Sequence, residues 1–248
     1  MKSCHADADM SDIRVDFDHV ESGDYKDTVY SPSQDTFLFA DALLLDLDHI
    51  TNSDIAVALE IGQGNTSIVS HVCFRCGSGY ISAYLLKLLA ESCKHNGEQR
   101  SEVTTNKARN AVKTSAADNT GSCCANPLPF VLTIDINPSA NAATMDTMRR
   151  NGVEGNADTA TTDMFTSLCK RRSKALVDLV MFNPPYVPSG SNDIAPDDID
   201  KAWNGGFMGR EVTDRFITSV GVGDHRSFHT PMQMQDYLSP DGTVYLVR

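Results

Sequence analysis

The sequence is short of positive charge. Against 33 Asp and Glu it sets 21 Lys and Arg, a formal net charge of −12 over 248 residues. Tight, sequence-blind binding to DNA or RNA draws on a basic footprint that displaces counterions, so this balance argues against it. A small cationic ligand stays compatible. Long apolar runs are absent too, none approaching the roughly 18 residues of a membrane span. The opening MKSCHADADMSDIRVDFD is acidic and lacks the basic and apolar regions of a secretory leader. An intracellular chain is expected, cytoplasmic with the nucleus as a second compartment. Cysteine does not form a framework: the seven residues at 4, 73, 76, 93, 123, 124 and 169 are odd in number and scattered. Cys73 and Cys76 make a C-x-x-C, but no second pair follows at finger-like spacing. Reduced thiols and no metal site are expected. There is no internal repeat.

What is present suits one large domain with a sizeable core, at 41% hydrophobic and 22% charged residues. The apolar stretches alternate in type. Residues 37–45 have helical spacing, and 55–61 form a short run that stops at Gly62 as a buried strand does. Residues 80–89 read as a helix, 130–135 as a second strand, and 138–150 as a helix with proline in its first turn. Residues 176–182 are a third strand, and 243–247, after the turn Ser-Pro-Asp-Gly, a fourth. Strands alternating with helices imply an α/β, doubly wound, mostly parallel sheet, with ligands beyond the carboxyl ends of the strands. Between them, 94–126 offers almost nothing to bury and reads as a disordered insertion. A second polar stretch, 221–235, precedes the last strand.

The strand ends carry the chemistry. The first ends in Glu60-Ile61-Gly62, the second in Asp135-Ile136-Asn137-Pro138, the third in Asn183-Pro184-Pro185-Tyr186. Glycines let a ligand approach the backbone, and an acid after the second strand accepts from ribose hydroxyls. An acid in that place serves equally well as a helix cap. Asn-Pro-Pro-Tyr is sharper, because two prolines fix a rigid turn and remove two N–H donors, leaving carbonyl acceptors beside an amide side chain.

With these residues the sequence resembles the class I S-adenosylmethionine-dependent methyltransferases, a Rossmann-like fold. Within them it is similar to the HemK-like glutamine N5-methyltransferases, whose signature is N-P-P-Y. The matching stretches are VYSPSQDTFL at 29–38, LEIG at 59–62, CGSGYISAYL at 76–85 and TDINPSA at 133–139. They continue with Thr162-Asp163-Met164, DLVMFNPPYVP at 178–188, AWNGGFMGREVTDRF at 202–216 and LSPDGTVYLV at 238–247. The AW-x-GG-x-x-GRE block favours the eukaryotic branch, which methylates the Gly-Gly-Gln glutamine of the class 1 translation release factor.

The resemblance implies S-adenosyl-L-methionine as cofactor, with Glu60, Gly62, Gly77 and Gly79 bordering its methionine part. Asp135 would take the ribose hydroxyls, Asp163 and Met164 would meet the adenine, and Thr36 would lie on a segment closing over the cofactor. Asn183 would serve both cofactor and substrate, its side-chain oxygen and the Pro184 carbonyl each accepting one amide hydrogen of the glutamine. Pro185 would fix the turn and Tyr186 would pack on the glutamine stem. Thr36 as a plain helix cap and Tyr186 as a cap on the sheet are the ordinary alternatives. The partners implied are the release factor and a small zinc-binding activator subunit. Other readings are an adenine N6-methyltransferase, which shares N-P-P-Y, and a catalytically impaired binding module.

Three departures qualify the match. The glycine loop is interrupted: removing the segment 63–75 restores LEIGCGSGYISAYL. That segment and 221–235 read either as lineage-specific loops or as translated intron. The chain also stops after the strand at 243–247, without the C-terminal helix and antiparallel hairpin that the family normally carries. The expected organisation is a tail at 1–28 and a methyltransferase domain at 29–248, with polar insertions near 63–75, 94–127 and 221–235.

Overall fold

The computed structural model describes residues 10–26, 28–62, 77–108, 127–165, 177–186, 188, 207–220 and 237–247. Five strands form one sheet: β1 (Val57–Ile61), β2 (Phe130–Asp135), β3 (Ala157–Thr161), β4 (Val177–Phe182) and β5 (Leu238–Leu246). Their order is β3-β2-β1-β4-β5, and every pairing is parallel. The order reverses between β1 and β4, which makes the crevice beyond their carboxyl ends the natural place for a ligand. The helices are α1 (Asp18–Ser22), α2 (Gln34–Leu45), α3 (Leu47–Asn52), α4 (Tyr80–Ala108), α5 (Pro138–Arg150) and α6 (Glu211–Val220).

Period-2 alternation divides the core into two layers. On one face Ala58, Val131, Leu179 and Met181 pack with Phe39 and Leu43 of α2 and with Leu85 and Leu88 of α4. On the other, Leu59, Ile61, Ile134, Val180 and Phe182 pack with Phe165, Phe216 and Tyr237. Leu59 and Ile61 are almost wholly buried, which explains why β1 reads as a continuous apolar run. Burying such a side chain contributes about 1.5–3 kcal/mol.

Several elements differ from the sequence reading. β3, Ala-Asp-Thr-Ala-Thr, was not expected; at the sheet edge with one buried residue it has little apolar pattern to show. The helix expected at 80–89 runs on to Ala108, so the first part of the segment read as disordered is helical. Ala, Glu, Gln, Lys and Arg in that stretch are good helix formers even without a face to bury. The turn Ser-Pro-Asp-Gly lies inside β5: Val177 pairs with Leu238 but Leu179 with Thr243, so the intervening residues bulge out of register. Residues 109–126, 221–235 and the 63–75 segment, with Cys73 and Cys76, lie outside the described residues.

Within the tail expected at 1–28, described residues from Met10 onward are packed. Val15 and Val20 are buried, and polar contacts fasten the segment to α5. The Asp16 amide donates to Asn151 Oδ1 at 2.9 Å, and Asn151 Nδ2 returns a bond to the Asp16 carbonyl. His19 Nε2 lies 3.1 Å from the Ala143 carbonyl. The Tyr25 hydroxyl donates to Asp146 Oδ2 at 2.6 Å. That bond, with burial and the Asp146 charge behind it, pushes the Tyr25 hydroxyl up to about 12. It also holds the Asp146 carboxyl below its ordinary value.

A raised phenol favours the protonated form in the fold, so its contribution is complete below the ordinary tyrosine value of 10.0 and disappears as pH rises to about 12. Tyr25→Phe is therefore expected to cost about 1 kcal/mol at neutral pH and to flatten stability across that alkaline window. Urea unfolding of both proteins at neutral and alkaline pH checks this; an unchanged alkaline decline in the variant would contradict it.

Candidate active site

The alternation that builds the core also gathers the polar groups. Glu60 follows Ala58 on the α4 face, Asp135 follows Val131 and Thr133, and Asn183 continues the series Leu179, Met181. Three neighbouring strands thus deliver two acids and an amide to one side of the sheet at its carboxyl edge.

Glu60 is buried, and its Oε2 accepts from the Ser82 amide at 3.1 Å and from the Ser82 hydroxyl. A carboxylate on the first turn of α4 satisfies a donor that the helix cannot satisfy itself and meets the positive end of its dipole. Gly62 donates its amide to the Ile134 carbonyl at 2.6 Å, extending the β1–β2 ladder one step. Beyond 63–76, Gly77 lies where a Cβ would stand 2.8 Å from Val29 Cγ1, and Gly79 where one would stand 2.9 Å from Thr144 Cα. Gly79 has φ +66°. It serves the close approach of the turn to α5. Gly77 and Gly79 therefore still stand at the entry to α4, although their chain connection to Gly62 is lengthened.

Asp135 is 1% exposed. Its Oδ1 accepts from the Asn137 amide at 2.7 Å and its carbonyl from the Thr162 amide at 3.0 Å. Asn137 in turn caps α5, accepting from the Ser139 amide at 2.9 Å, and its Nδ2 donates to the Thr28 carbonyl at 3.0 Å. The cap of α5 is Asn137, and Asp135 fixes the amide of that capping residue. Asp163, one strand further, is ion-paired with Arg215 of α6. Met164 has φ +44° and is buried beside Phe165.

Asn183 sits beyond β4. Its Nδ2 donates to Asp35 Oδ2 at 2.9 Å, while its Oδ1 is buried and has no hydrogen-bond partner among the described residues. Pro184 and Pro185 are buried, and Tyr186 is 41% exposed. Thr36 is buried in a capping box, its Oγ1 accepting from the Ser33 amide at 3.2 Å. The helix-cap role of Thr36 is real.

Asp35, Ser82 and Arg215 are the site residues that sequence reasoning missed. All three fall inside quoted stretches, at 29–38, 76–85 and 202–216, but a one-dimensional reading gives no sign of what they face.

A methyl donor with a cationic sulfonium, a ribose and an adenine suits this donor set. Glu60 and Asn183 stand at the ends of β1 and β4, which flank the reversal, Asp135 ends the adjacent β2, and Asp163 lies just past β3. Methyltransferase HEMK2 of Homo sapiens is 30% identical over 229 residues, covering 92% of this chain and 75% of that protein. The chain belongs to the HemK-like methyltransferase family. In Schizosaccharomyces pombe the eRF1 methyltransferase catalytic subunit mtq2 is 36% identical over 73 residues, 29% of this chain and 26% of that one. A Methanocaldococcus jannaschii protein named as a candidate protein N5-glutamine methyltransferase is 29% identical over 118 residues, 48% of this chain and 49% of its own. No family model matches the chain. Among solved structures, ribosomal protein L11 methylase of Lactobacillus delbrueckii subsp. bulgaricus overlays at TM-score 0.40 with 12% identity, over 88% of this chain and 62% of that one. The enzyme is a methyltransferase of the S-adenosyl-L-methionine-dependent class.

The HemK-like turn is braced from outside. Gly209, at φ +69°, is placed so that a Cβ would overlap the Tyr186 carbonyl. Gly152, at φ +68°, ends α5 with nothing within 4 Å of a Cβ. Gly152→Ala is expected to cost only the left-handed strain, about 1 kcal/mol. Gly209→Ala should cost more and lower methyl transfer about tenfold or more by shifting Tyr186. Thermal melts and initial rates on both variants check the contrast; equal rates would count against the brace.

Proposed function

We propose that this chain methylates the N5 nitrogen of the glutamine in the Gly-Gly-Gln motif of the eukaryotic class 1 translation release factor. The observation that carries the reading is the Asn183 Oδ1 atom, buried at the end of β4 with no partner among the described residues. A substrate carboxamide brings the N–H that this acceptor lacks. The next two residues are prolines, so the turn presents carbonyls and withholds amides. The names of the fission-yeast and archaeal relatives point to the same substrate class. The formal charge of −12 does not favour nucleic acid.

When bound, S-adenosylmethionine supplies an electrophilic methyl on a positively charged sulfur that leaves as a neutral thioether. The residues bordering it would be Glu60, Gly62, Gly77 and Gly79 on the methionine side. Asp135 would take the ribose, and Asp163 and Met164 the adenine. Asn183 Oδ1 and the Pro184 carbonyl accept the two amide hydrogens of the glutamine. This fixes the plane of the amide, so that the face of the nitrogen, where its lone pair lies, would be presented to the methyl. Positive charge that grows on the nitrogen during the transfer would be stabilised by these two oxygens where it grows. One proton then leaves the nitrogen to solvent, and no side chain is required to remove it beforehand. Tyr186 packs along the glutamine stem.

A small zinc-binding activator subunit is part of this reading, supported by the family resemblance and by the name of the fission-yeast relative as a catalytic subunit. The substrate puts the reaction in the cytoplasm, with the nucleus as a second compartment.

The test is transfer of labelled methyl from S-adenosylmethionine to purified release factor by the full chain and by Asn183→Ala. The variant is expected to retain the fold and to lose about 100-fold or more in rate, the scale of removing one preorganised transition-state partner. Undiminished transfer by the variant would remove Asn183 from the mechanism. Wild-type label on a release-factor residue other than that glutamine would overturn the substrate.

A further inference from the structure

We propose that Asp35 is a positioning residue that sets the orientation of the Asn183 carboxamide, and so makes the site select an amide N–H over a carboxylate oxygen. The proposal deepens the glutamine reading and rests on it for its substrate. A carboxamide has two orientations related by a half-turn, nearly identical in shape and opposite in hydrogen-bonding sense. Which one is present depends on the partners. With Oδ1 toward the substrate, Asn183 accepts an amide hydrogen; with Nδ2 there, it donates and would welcome a carboxylate.

Asp35 resolves the choice. It is 8% exposed at the start of α2, and its Oδ2 lies 2.9 Å from Asn183 Nδ2. An ionised carboxylate only accepts, so Nδ2 must face it and Oδ1 must face away. The reverse orientation would set oxygen against oxygen and lose a charge-assisted bond, worth about tenfold to a hundredfold in population. Asp35 is itself fixed. Its Oδ1 accepts from the Ser33 hydroxyl and lies 3.5 Å from the Tyr30 hydroxyl, and the Ser33–Thr36 capping box holds that first turn. The neighbouring threonine, assigned by resemblance to the cofactor, thus helps to place a residue that acts on the substrate side.

The test uses the full chain saturated with S-adenosylhomocysteine, with Asp35→Asn as a near-isosteric variant free to pair with either orientation. Calorimetry measures affinity for peptides carrying Gly-Gly-Gln or Gly-Gly-Glu. Wild type is expected to favour the glutamine peptide at least about tenfold, and Asp35→Asn to bring the ratio toward one while S-adenosylhomocysteine affinity stays unchanged. A purely structural role would weaken both peptides alike and leave the ratio intact, which overturns the proposal.

A second arm needs no substrate. The Asn183 carboxamide protons are assigned in NMR spectra by their loss in Asn183→Asp, and their solvent exchange is compared between wild type and Asp35→Ala. Slow exchange in wild type that becomes fast in the variant supports the proposal. Equal exchange overturns it, whatever the substrate. A wild-type chain that binds neither peptide and methylates no glutamine defeats the substrate reading, and the exchange arm alone then decides Asp35.

Discussion

The bond between Glu60 and the first turn of α4 is the constraint on which the rest of the site depends. Glu60 ends the central strand, and α4 starts the layer that covers it, so their contact fixes where the glycine turn can lie. In sequence the two are separated by the extra residues between Gly62 and Gly77. Lengthening a loop costs only about 0.6 kcal/mol per doubling, provided its ends are held. Here they are: Gly62 by the Ile134 carbonyl, Ser82 by Glu60, and the Ser78 carbonyl by the Thr147 hydroxyl of α5. Gly77 and Gly79 lie close against Val29 and α5, neither of which belongs to the connecting chain.

How much of this was legible in the sequence follows from the kind of signal each part sends. β1, β2 and β4 are buried on both faces and announce themselves as apolar runs; Asn137-Pro138 announces α5 by its cap and first-turn proline. β3 sends neither signal, since an edge strand with one buried residue is chosen by its neighbour's hydrogen bonds and not by its own side chains. The packed segment from Met10 to Thr28 was hidden for a related reason. Its buried side chains, Met10, Val15 and Val20, are too sparse to make a periodic pattern, and its polar contacts, Asp16 to Asn151 and Tyr25 to Asp146, have partners more than 120 residues away. The strand-end residues were found because strand ends can be located in one dimension. Asp35 and Arg215 were not, because each matters through a partner on another element.

That distinction also separates what charge does here from what geometry does. A surplus of acid suits a cationic cofactor, but its field is screened within about 8 Å at physiological salt and carries no information about an amide. Selection of the substrate falls to a few atoms: an amide oxygen whose orientation a neighbouring carboxylate dictates, and a turn from which two prolines have removed the donors. Such a site distinguishes ligands of equal size and shape by hydrogen-bonding sense alone, because a mismatched partner leaves a buried acceptor unpaired. The packed N-terminal segment then has a chemical purpose. By carrying Tyr30, Ser33 and Asp35 onto the end of β4, it supplies the second half of a site whose first half is built by the sheet.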